Sequence, residues 1–419
     1  MKHQISVALI GAGLRGGTYT SYALEHPLDM KVVAVAEPDR LRRESFQRSH
    51  ALEDEMCFEG WEELLDARVT ADAVIICTQD HMHFEPTMRA LESGYHVLLE
   101  KPMSPSFEEC IAMQEQAEKY NRVLTICHVL RYTRFFQTLK NLLDEGKIGR
   151  LMSIQHIENV GYWHQAHSFV RGNWRNSKQS SPMILAKSCH DMDILLWLAG
   201  ADCTSLNSYG DLSHFKADQA PEGAPLRCLD GCPVSDECVY YAPKTYLTNN
   251  PGWMDQAISS DLSYEARYEA LLTGPYGRCV YHCDNDVVDH QVVSMEFANE
   301  VTAVFTMTAF SEESSRSIKL MGTKGEIQGS MEKNEIELIY FGTGRRETIK
   351  FSDSEGHIGH GGGDFGLMRD FVRTIRSTDN KDTLTSAAKS VKSHLMAFAA
   401  ERSRLEKRVI RLDEFAARA

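Results

Sequence analysis

The glycine-rich hexapeptide near the start of the chain constrains the fold more than any other feature. It follows a short apolar run, residues 5–10, and reads GAGLRG at 11–16, a G-x-G-x-x-G pattern. If a dinucleotide binds here, Gly11 lets the chain turn tightly, Gly13 lets a pyrophosphate approach the backbone, and Gly16 lets the next helix pack closely. Glycine clusters also form ordinary turns, so the surrounding sequence must decide. The candidate cofactor-binding loop consists of Gly11, Gly13, Leu14, Arg15 and Gly16.

The sequence after this loop favours a dinucleotide cofactor. A helix-like stretch at 18–26 ends before Pro27, and a second apolar strand, 31–36, leads into Glu37. A carboxylate about 20 residues beyond such a loop accepts hydrogen bonds from both adenosine ribose hydroxyls. Glu37 therefore favours NAD, because a carboxylate repels the 2′-phosphate of NADP. Nearby Arg40 leaves NADP open as an alternative.

Length and charge restrict the classes of protein. At 419 residues the chain should form two domains, and no apolar stretch reaches the ~20 residues that a membrane span requires. The formal net charge of −14 argues against binding to nucleic acid or to an anionic membrane. The first strand begins almost at Met1, which leaves no room for a signal peptide. We therefore expect a cytoplasmic protein whose 11 cysteines are mostly reduced.

The order of apolar patterns predicts an α/β fold in two parts. Residues 1–127 alternate strand and helix, which indicates βαβ units and a doubly wound parallel sheet of the Rossmann type. In residues 128–419 the strands follow one another, and 291–297 alternates apolar with polar residues, as in an antiparallel sheet with one buried face. The stretch from about 207 to 283 is rich in Pro, Gly, Tyr and Cys and has no clear period, so we interpret it as an insertion.

A Glu-Lys-Pro sequence follows the strand at 96–100. Ligands bind at the carboxyl ends of strands in open parallel sheets, and Glu100 and Lys101 lie at that edge. A lysine in a desolvated site can lose part of its pKa and transfer protons. The alternative is an ordinary surface lysine in a strand-to-helix loop, which the rigid Pro102 makes less attractive.

These motifs together resemble the Gfo/Idh/MocA oxidoreductases, the relatives of glucose–fructose oxidoreductase and inositol dehydrogenase. The resemblance rests on GAGLRG, AEPD at 36–39, CTQDHMH at 77–83, EKP at 100–102 and HDMD at 190–193. It implies a Rossmann domain followed by an α/β domain with an open, mainly antiparallel sheet. It also implies nicotinamide chemistry on a sugar or cyclitol, and homodimers or homotetramers that form through the sheet.

The resemblance also carries roles to matching positions. Lys101 matches the lysine that contacts nicotinamide and substrate, and His190 matches the catalytic-site histidine at the start of a helix. An imidazole there could take the hydroxyl proton as hydride leaves the same carbon. The alternative for His190 is a purely structural hydrogen bond at a helix N-terminus. The remaining cofactor-side positions are Thr78, Asp80, His83 and Glu100.

Two places depart from the family pattern, and the first is the run of glycines that the family has where Ser180, Ser181 and Pro182 stand here. The family places an aspartate four residues before the histidine, and here that position is Ala186, followed by Lys187. Because alanine cannot transfer a proton, the usual arrangement is broken. Lys187 could supply a catalytic cation that assists an alkoxide, or it could be a structural lysine paired with Asp191 or Asp193. Both interpretations remain open.

The segment 159–175 is the candidate substrate-binding segment. Aromatic rings with interspersed His, Asn and Arg suit a sugar, because its apolar faces stack and its hydroxyls need several polar partners. A zinc site formed by His164 and His167 is a weaker alternative, because no third ligand lies nearby in the sequence. The candidate substrate contacts are Tyr162, His164, His167, Trp174, Arg175 and, before this segment, Arg131.

Five cysteines in the insertion form a second candidate site. Four thiolates can hold Zn²⁺ tetrahedrally or an iron–sulfur cluster, and a metal would give a core to an excursion that lacks one. The alternative is a set of free or packing cysteines. We expect a structural metal, zinc first. The candidate ligands are Cys228, Cys232, Cys238, Cys279 and Cys283.

The sequence thus predicts an NAD(H)-dependent oxidoreductase that oxidises a secondary hydroxyl of a sugar, sugar derivative or cyclitol. Lys101 and His190 would handle the proton and the orientation of the substrate. Because of Ala186, an NAD-dependent glycoside hydrolase or lyase, which oxidises the sugar only transiently, is a second hypothesis. A non-catalytic dinucleotide-sensing protein is a third.

Overall fold

The computed structural model describes residues 3–351, 360–377 and 382–417. These residues form two β-sheets with helices packed on them, which confirms the predicted α/β class with a parallel first sheet and a mainly antiparallel second sheet. Within the described ranges, no helix is both long enough and apolar enough to span a membrane.

The first sheet has six parallel strands. The strands are β1 (Ile5–Ile10), β2 (Met30–Ala36), β3 (Cys57–Phe58), β4 (Ala73–Ile76), β5 (His96–Leu99) and β6 (Leu124–Ile126). The helices between them are α1 (Leu14–Glu25), α2 (Arg40–His50), α3 (Trp61–Asp66), α4 (Phe84–Glu92) and α5 (Phe107–Lys119). Their order, β3-β2-β1-β4-β5-β6, reverses direction at β1, so the turn after β1 opens where ligands bind in such sheets.

Strand β1 is buried on both faces, which explains why it reads as a continuous apolar run. Val7 and Leu9 belong to the hydrophobic core on one side of the sheet, and Ala8 and Ile10 belong to the core on the other. Parallel strands between two helical layers have this composition.

The second sheet has nine strands. They are β7 (Leu151–Asn159), β8 (Cys203–Asp211), β9 (His290–Phe297), β10 (Thr302–Thr308), β11 (Ser315–Gly322), β12 (Gly325–Ser330), β13 (Glu335–Tyr340), β14 (Arg346–Lys350) and β15 (Ile410–Arg411). The order is β14-β13-β12-β11-β7-β10-β9-β8-β15, and β7 pairs with β10 in parallel while the other neighbours are antiparallel. Burial alternates along β9 as predicted: Val293, Met295 and Phe297 are buried and Ser294 and Glu296 are exposed, although Gln291 is buried and Val292 is exposed.

The remaining helices follow β6 in the sequence. They are α6 (Arg134–Asp144), α7 (Tyr162–His164), α8 (Met183–Ala186), α9 (Cys189–Ala199), α10 (Ala242–Tyr246), α11 (Trp253–Ile258), α12 (Tyr264–Thr273), α13 (Gly363–Arg376), α14 (Ala387–Glu406) and α15 (Leu412–Ala416). The long helix α14 contacts both α5 and β8 and so links the two halves of the chain.

Helix α13 lies after the predicted domain boundary at residue 127 but packs on the first sheet. Its Leu367, Met368 and Phe371 pack in the same hydrophobic core as Val7 and Leu9 of β1. The C-terminal part of the chain therefore covers one face of the N-terminal sheet. Local periodicity predicts the helix correctly, but it carries no information about which sheet the helix returns to.

The cysteine-rich excursion starts later than expected and is folded. Residues 207–211 belong to β8, so the excursion spans 212–289, between β8 and β9. It contains α10, α11 and α12 and two small apolar clusters, one around Phe215 and Tyr281 and one around Tyr246 and Leu271. The expectation that this segment lacks a core is therefore wrong, because its aromatic residues supply two.

The packing of α13 predicts a large loss of stability for Phe371→Ala. Phe371 is completely buried, and removal of a buried phenylalanine ring typically costs about 3–5 kcal/mol of unfolding free energy. Urea denaturation measures the loss, with Leu405→Ala as the control because Leu405 is 62% exposed. Equal stability of the two variants would contradict the assignment of α13 to the core of the first sheet.

Candidate active site

The glycine loop has the geometry that a pyrophosphate requires. Gly11 adopts φ +90°, and a Cβ there would lie 2.7 Å from the carbonyl oxygen of Cys77. A Cβ at Gly16 would lie 2.1 Å from the carbonyl oxygen of Gly11, whereas a Cβ at Gly13 would meet no atom within 4 Å. Helix α1 begins directly after this open space, at Leu14, with its N–H groups directed at the loop. The loop therefore fits a dinucleotide.

Glu37 lies beside this loop at the end of β2. Its carboxylate accepts hydrogen bonds from the backbone N–H groups of Ala12, at 2.8 Å, and of Asp39, at 3.0 Å. These bonds fix the buried carboxylate next to the glycines. A carboxylate has about four lone-pair positions, so two remain for the hydroxyls of a ribose.

Arg15 and Glu100 are joined to each other. The Arg15 Nε donates to Glu100 Oε1 at 2.8 Å, and its terminal nitrogen donates to Tyr19 and Asp364. Glu100 also accepts from the Tyr19 hydroxyl and from the backbone N–H of Lys101. Burial alone would raise the pKa of Glu100, but Arg15 and Lys101 outweigh it and hold the pKa below its ordinary value. This network holds the glycine loop against the Glu-Lys-Pro loop.

The turn after β4 is held by Asp80 and His83. The His83 ring nitrogens lie 2.7 Å from the Pro102 carbonyl and 3.1 Å from the Thr78 carbonyl. They join this turn to the Glu-Lys-Pro loop. Asp80 is buried, and its carboxylate accepts a hydrogen bond from the indole Nε1 of Trp174 at 3.1 Å.

Two serines complete the environment of Asp80. The hydroxyls of Ser180 and Ser181 donate to its Oδ2 at 2.9 and 2.8 Å. These serines stand where the family has glycines, and here they tie the first domain to the segment that leads into α8. The sequence alone did not indicate this connection, because the partners are 100 residues apart.

Lys101 reaches the position where the family carries its aspartate. Its Nζ donates to the carbonyl oxygen of Ala186 at 2.9 Å. The ammonium group is thus held at the junction between α8 and Lys187, on the same side of the first sheet as the glycine loop. The surface-loop alternative for Lys101 does not fit this contact.

Lys187 pairs with Glu158 rather than with Asp191 or Asp193. The Lys187 Nζ lies 3.5 Å from Glu158 Oε1, and the Ser188 hydroxyl donates to Glu158 at 3.1 Å. Glu158 is a site residue that sequence reasoning missed. The usable signal was its place on β7, two residues beyond His156, with both side chains on the buried face of the strand.

Arg316 on β11 connects this pair to α9. Its guanidinium donates to Glu158 and, at 2.8 Å, to Asp191, which also lies 2.7 Å from His156 Nε2. The group brings the cations Lys187 and Arg316 together with the carboxylates Glu158 and Asp191 in a buried space. The charge state of each therefore depends on the others.

The pKa values of the Lys187–Glu158 pair are shifted toward each other. Burial lowers the pKa of Lys187, with Arg316 and Lys101 adding to the effect and Glu158 opposing it. Burial raises the pKa of Glu158 to about 7, with Asp191 adding to the effect and Arg316 opposing it. These opposite shifts bring the proton affinities of the two groups closer together than those of a free lysine and a free glutamate.

His164 lies beside the lysines with its Nδ1 buried. Within the described part of the chain, that nitrogen has no hydrogen-bond partner. Burial lowers the pKa of His164 well below its ordinary value, and the positive charge of Lys187 contributes. The imidazole is therefore neutral at pH 7. Its ring stacks on Trp163, with centroids 5.4 Å apart, and meets the edge of Trp253 from the excursion.

His190 is buried in the first turn of α9. Its ring meets the ring of His128 edge-on, with centroids 5.7 Å apart. His128 in turn meets His394 of α14 at 5.5 Å. His190 thus lies in a row of three imidazoles at the junction of the two sheets.

The other predicted substrate contacts are largely engaged by the protein. His167 Nδ1 lies 2.9 Å from the Tyr246 hydroxyl, and burial lowers the pKa of His167 to about 4. Arg175 pairs with Asp284 at 2.8 Å. Tyr162 is half-buried, and the centroid of its ring lies 6.0 Å from that of Tyr240.

Arg131 is committed to α9. Its Nε and a terminal nitrogen donate to the two carboxylate oxygens of Asp193 at 2.6 and 2.7 Å, and both side chains are buried. This bidentate pair favours a structural role for Arg131 over the predicted substrate contact, because the planar fork of the guanidinium is already used.

The five cysteines do not form the predicted zinc site. Among the residues that the structure describes, no three His, Cys, Asp or Glu side chains are grouped as ligands of a metal ion. All 11 cysteines are unpaired by disulfides. Four of the five line one small cavity, and Cys283 does not; they are Cys228, Cys232, Cys238 and Cys279.

The Arg131–Asp193 pair predicts destabilisation by Asp193→Ala. The variant leaves a buried guanidinium uncompensated, which typically costs about 3–5 kcal/mol of unfolding free energy. Arg131 lowers the pKa of Asp193 against the effect of burial, so this stabilisation is present above the ordinary carboxyl pKa and is lost as the pH falls through the folded value. Chemical denaturation at pH 7 and at acidic pH measures both effects. No loss at pH 7 would contradict the structural role.

Models of known protein families match most of the chain. Residues 5–128 match the model described as an oxidoreductase family with an NAD-binding Rossmann fold, and residues 136–328 match the GFO/IDH/MocA C-terminal domain. YteT of Bacillus subtilis (strain 168), which is named as an oxidoreductase, is 26% identical over 365 residues, and the alignment covers 82% of each chain.

Other relatives match over shorter lengths. The scyllo-inositol 2-dehydrogenase (NAD(+)) of Bacillus subtilis (strain 168) is 27% identical, over 50% of this chain and 58% of its own. The 2,7-anhydro-N-acetylneuraminate hydratase of Mediterraneibacter gnavus is 23% identical, over 47% of this chain and 50% of its own. The chain thus spans about half the length of these two relatives.

Solved structures share the complete fold. A levoglucosan dehydrogenase in complex with NADH superposes with a TM-score of 0.73 and 18% identity, over 98% of this chain and 99% of that one.

Proposed function

Because the chain belongs to the Gfo/Idh/MocA oxidoreductase family, we propose that it is an NAD(H)-dependent oxidoreductase that oxidises a secondary hydroxyl of a sugar, sugar derivative or cyclitol. One observation carries the proposal: Lys101 contacts the Ala186 carbonyl and so brings its ammonium group beside the Lys187–Glu158 pair. This places groups able to move a proton at the ligand-binding edge of a dinucleotide-binding sheet.

NAD is the cofactor that the loop supports. When bound, it takes up or returns a hydride at its nicotinamide. The N–H groups at the start of α1 would hold the pyrophosphate, and Glu37 would hold the ribose hydroxyls. The Glu37 carboxylate, buried and fixed by Ala12 and Asp39, supports NAD over NADP.

Oxidation of an alcohol requires that its hydroxyl lose a proton as hydride leaves the same carbon. Lys187 would accept this proton in its neutral form, which its lowered pKa favours, and Glu158, whose pKa burial raises to about 7, would receive it next. Arg316 stays charged and limits the build-up of negative charge on Glu158. The pair thus takes the place of the family's aspartate.

Lys101 and His164 would position the reacting oxygen. The Lys101 ammonium, oriented by the Ala186 carbonyl, can donate to an alkoxide. The neutral His164 can accept or donate a hydrogen bond at its buried Nδ1. His190, assigned a catalytic role by resemblance, remains a candidate for orientation rather than for the first proton transfer.

The wall beside these groups supports a polyhydroxylated ring as substrate. The rings of Trp163 and Trp253 both contact His164 and also contact each other, with centroids 6.4 Å apart, and Tyr162 lies on the same short helix as His164. Aromatic faces next to polar groups suit the alternating apolar and hydroxylated surface of a sugar or cyclitol. The dehydrogenase relative whose name specifies an inositol agrees with this class.

A redox-neutral reaction is the second candidate. Ala186 removes the family's carboxylate, and one relative is named a hydratase, a reaction with no net oxidation. A transient oxidation of the sugar followed by elimination would cleave a glycoside and return the hydride. Incubation with nitrophenyl glycosides separates the two: phenol release without net NADH supports the second candidate, and net NADH from free polyols supports the first.

A non-catalytic dinucleotide sensor is the third candidate. It predicts NADH binding with no turnover of any polyol or glycoside, and no effect of Lys101→Met on any measured property.

Assembly and location remain predictions. One face of the second sheet carries exposed apolar side chains, including Ile157, Tyr209 and Val292. A second copy of the chain packed on this face would bury them, in agreement with the predicted homodimer or homotetramer. The predicted cytoplasmic location stays an expectation from the sequence.

The proton-transfer role of Lys187 predicts that Lys187→Met lowers kcat by about 10²–10⁴-fold while NADH affinity changes little. The expected split arises because Lys187 moves a proton but does not touch the glycine loop. Steady-state kinetics and NADH fluorescence titration measure the two quantities, with Lys178→Met, an exposed lysine of the same segment, as the control. A kcat within twofold of wild type would contradict the role.

Cofactor choice depends on Glu37. Replacement by serine, Glu37→Ser, removes the ribose acceptor and the charge that repels a 2′-phosphate, so NAD affinity should fall by about 10-fold or more and the preference over NADP should shrink. Binding titrations with NADH and NADPH measure both, and Glu62→Ser on the exposed face of α3 is the matched control. An unchanged ratio of the two affinities would refute the assignment.

A further inference from the structure

We propose that the excursion between β8 and β9 binds an iron–sulfur cluster through Cys228, Cys232, Cys238 and Cys279. The four cysteines come from two separated parts of the excursion and line the same small cavity, together with Arg171, Tyr240 and Tyr281. The proposal does not depend on the reaction that the enzyme catalyses.

The placement of four cysteines around one cavity favours a cluster over a single ion. Zinc binds cysteine sulfur at about 2.3 Å in a tetrahedron, which brings the four sulfurs within about 3.8 Å of one another. No three side chains of the described ranges are grouped in that way. In an iron–sulfur cluster the inorganic core lies between the cysteines and keeps them apart. Four cysteines around a cavity, instead of at a point, suit this second arrangement.

Charge provides an independent argument. Arg171 is 1% exposed, and its guanidinium donates to the carbonyls of Arg278 and Tyr240 at 2.7 and 2.6 Å and to Cys228 Sγ at 3.6 Å. The acceptors of these described hydrogen bonds are two carbonyls and a thiol, and none of them is a carboxylate. A buried cation without a counter-charge is costly. Thiolates bound to a cluster would supply the missing negative charge, whereas protonated thiols would not.

Hydrogen bonds to Cys228 match the same chemistry. The backbone N–H of Ala242, at the start of α10, donates to Cys228 Sγ at 3.5 Å, in addition to the Arg171 guanidinium. Donors directed at the cysteine sulfurs are characteristic of iron–sulfur sites, where they stabilise the charge on the cluster.

The proposed cluster would stabilise one wall of the candidate active site. Arg171 is the last residue of the π-helical segment Gln165–Arg171, which continues directly from His164 and contains His167. A centre that holds Arg171 therefore holds this segment against the excursion, which also supplies Trp253. We assign the cluster this positioning role and no step of electron transfer.

Cys283 is the natural control. Its Sγ contacts the Cys279 carbonyl at 3.3 Å, and it does not line the cavity. Cys283→Ser thus removes a neighbouring thiol of the same segment without removing a proposed ligand.

The test uses the full chain, purified without oxygen and then also reconstituted with Fe²⁺ and sulfide. We expect about 2–4 iron atoms and a matching amount of acid-labile sulfide per chain, with a visible charge-transfer absorption that dithionite bleaches. Cys238→Ser should lose most of the iron and the absorption, and Cys283→Ser should keep both. NADH binding by each variant checks that the first domain remains folded.

Three results would overturn the proposal. The first is about one zinc per chain with no iron, and the second is no iron either as purified or after reconstitution. The third is an equal loss of iron in Cys283→Ser and Cys238→Ser. If Cys238→Ser does not fold, the iron, sulfide and zinc content of the wild-type chain still decides, because that measurement needs no variant.

Discussion

The carboxylate of Glu100 is the contact on which the arrangement of the cofactor side depends. It accepts hydrogen bonds from Arg15 of the glycine loop, from Tyr19 of α1 and from the backbone of Lys101. Arg15 also donates to Asp364 at the start of α13, so the C-terminal part of the chain joins the same group. The two carboxylates are buried and Arg15 is partly buried, so removal of Arg15 would leave buried negative charges without a partner. Lys101, the lysine proposed to contact the substrate, therefore has its position because the preceding residue, Glu100, is fixed by these hydrogen bonds.

A second buried network gives the substrate side its chemistry. This network lies between the second sheet and α9 and consists of Glu158, Asp191 and Arg316. Lys187 pairs with Glu158 on the side of the network that is nearer to Lys101. Burial makes every charge in this group costly, and this cost contributes to the lowered pKa of Lys187 and the raised pKa of Glu158. A lysine with a lowered pKa next to a glutamate with a raised one is an arrangement suited to proton transfer. It accounts for an oxidoreductase that carries alanine at the family's aspartate position.

Much of the fold was predictable, because local patterns determine it. The apolar run of β1, the glycines of its loop and the position of Glu37 each have a local cause and are found as predicted. Contacts between distant segments were not predictable in this way. The pairing of Lys187 with Glu158 depends on which strand faces α9, and the return of α13 to the first sheet depends on tertiary packing.

The roles predicted for charged residues also depend on contacts between distant segments. Arg131 and Arg175 looked like substrate contacts, but each has a carboxylate partner far away in sequence. Conversely, His164 keeps an unsatisfied nitrogen only because its surroundings are aromatic and cationic. Motif position names the candidates, and only the tertiary partners show which of them remain available to a ligand.

The most direct test of the account is transfer of deuterium from substrate to cofactor. A polyol or glycoside that the enzyme turns over is labelled at the reacting carbinol carbon, and the cofactor is analysed by mass spectrometry at quenched time points during a single turnover. The account predicts that the nicotinamide gains one deuterium in the wild-type chain, whether or not the hydride later returns, and that Lys187→Met slows this gain. Turnover of the labelled substrate with no deuterium ever appearing in the cofactor would contradict it.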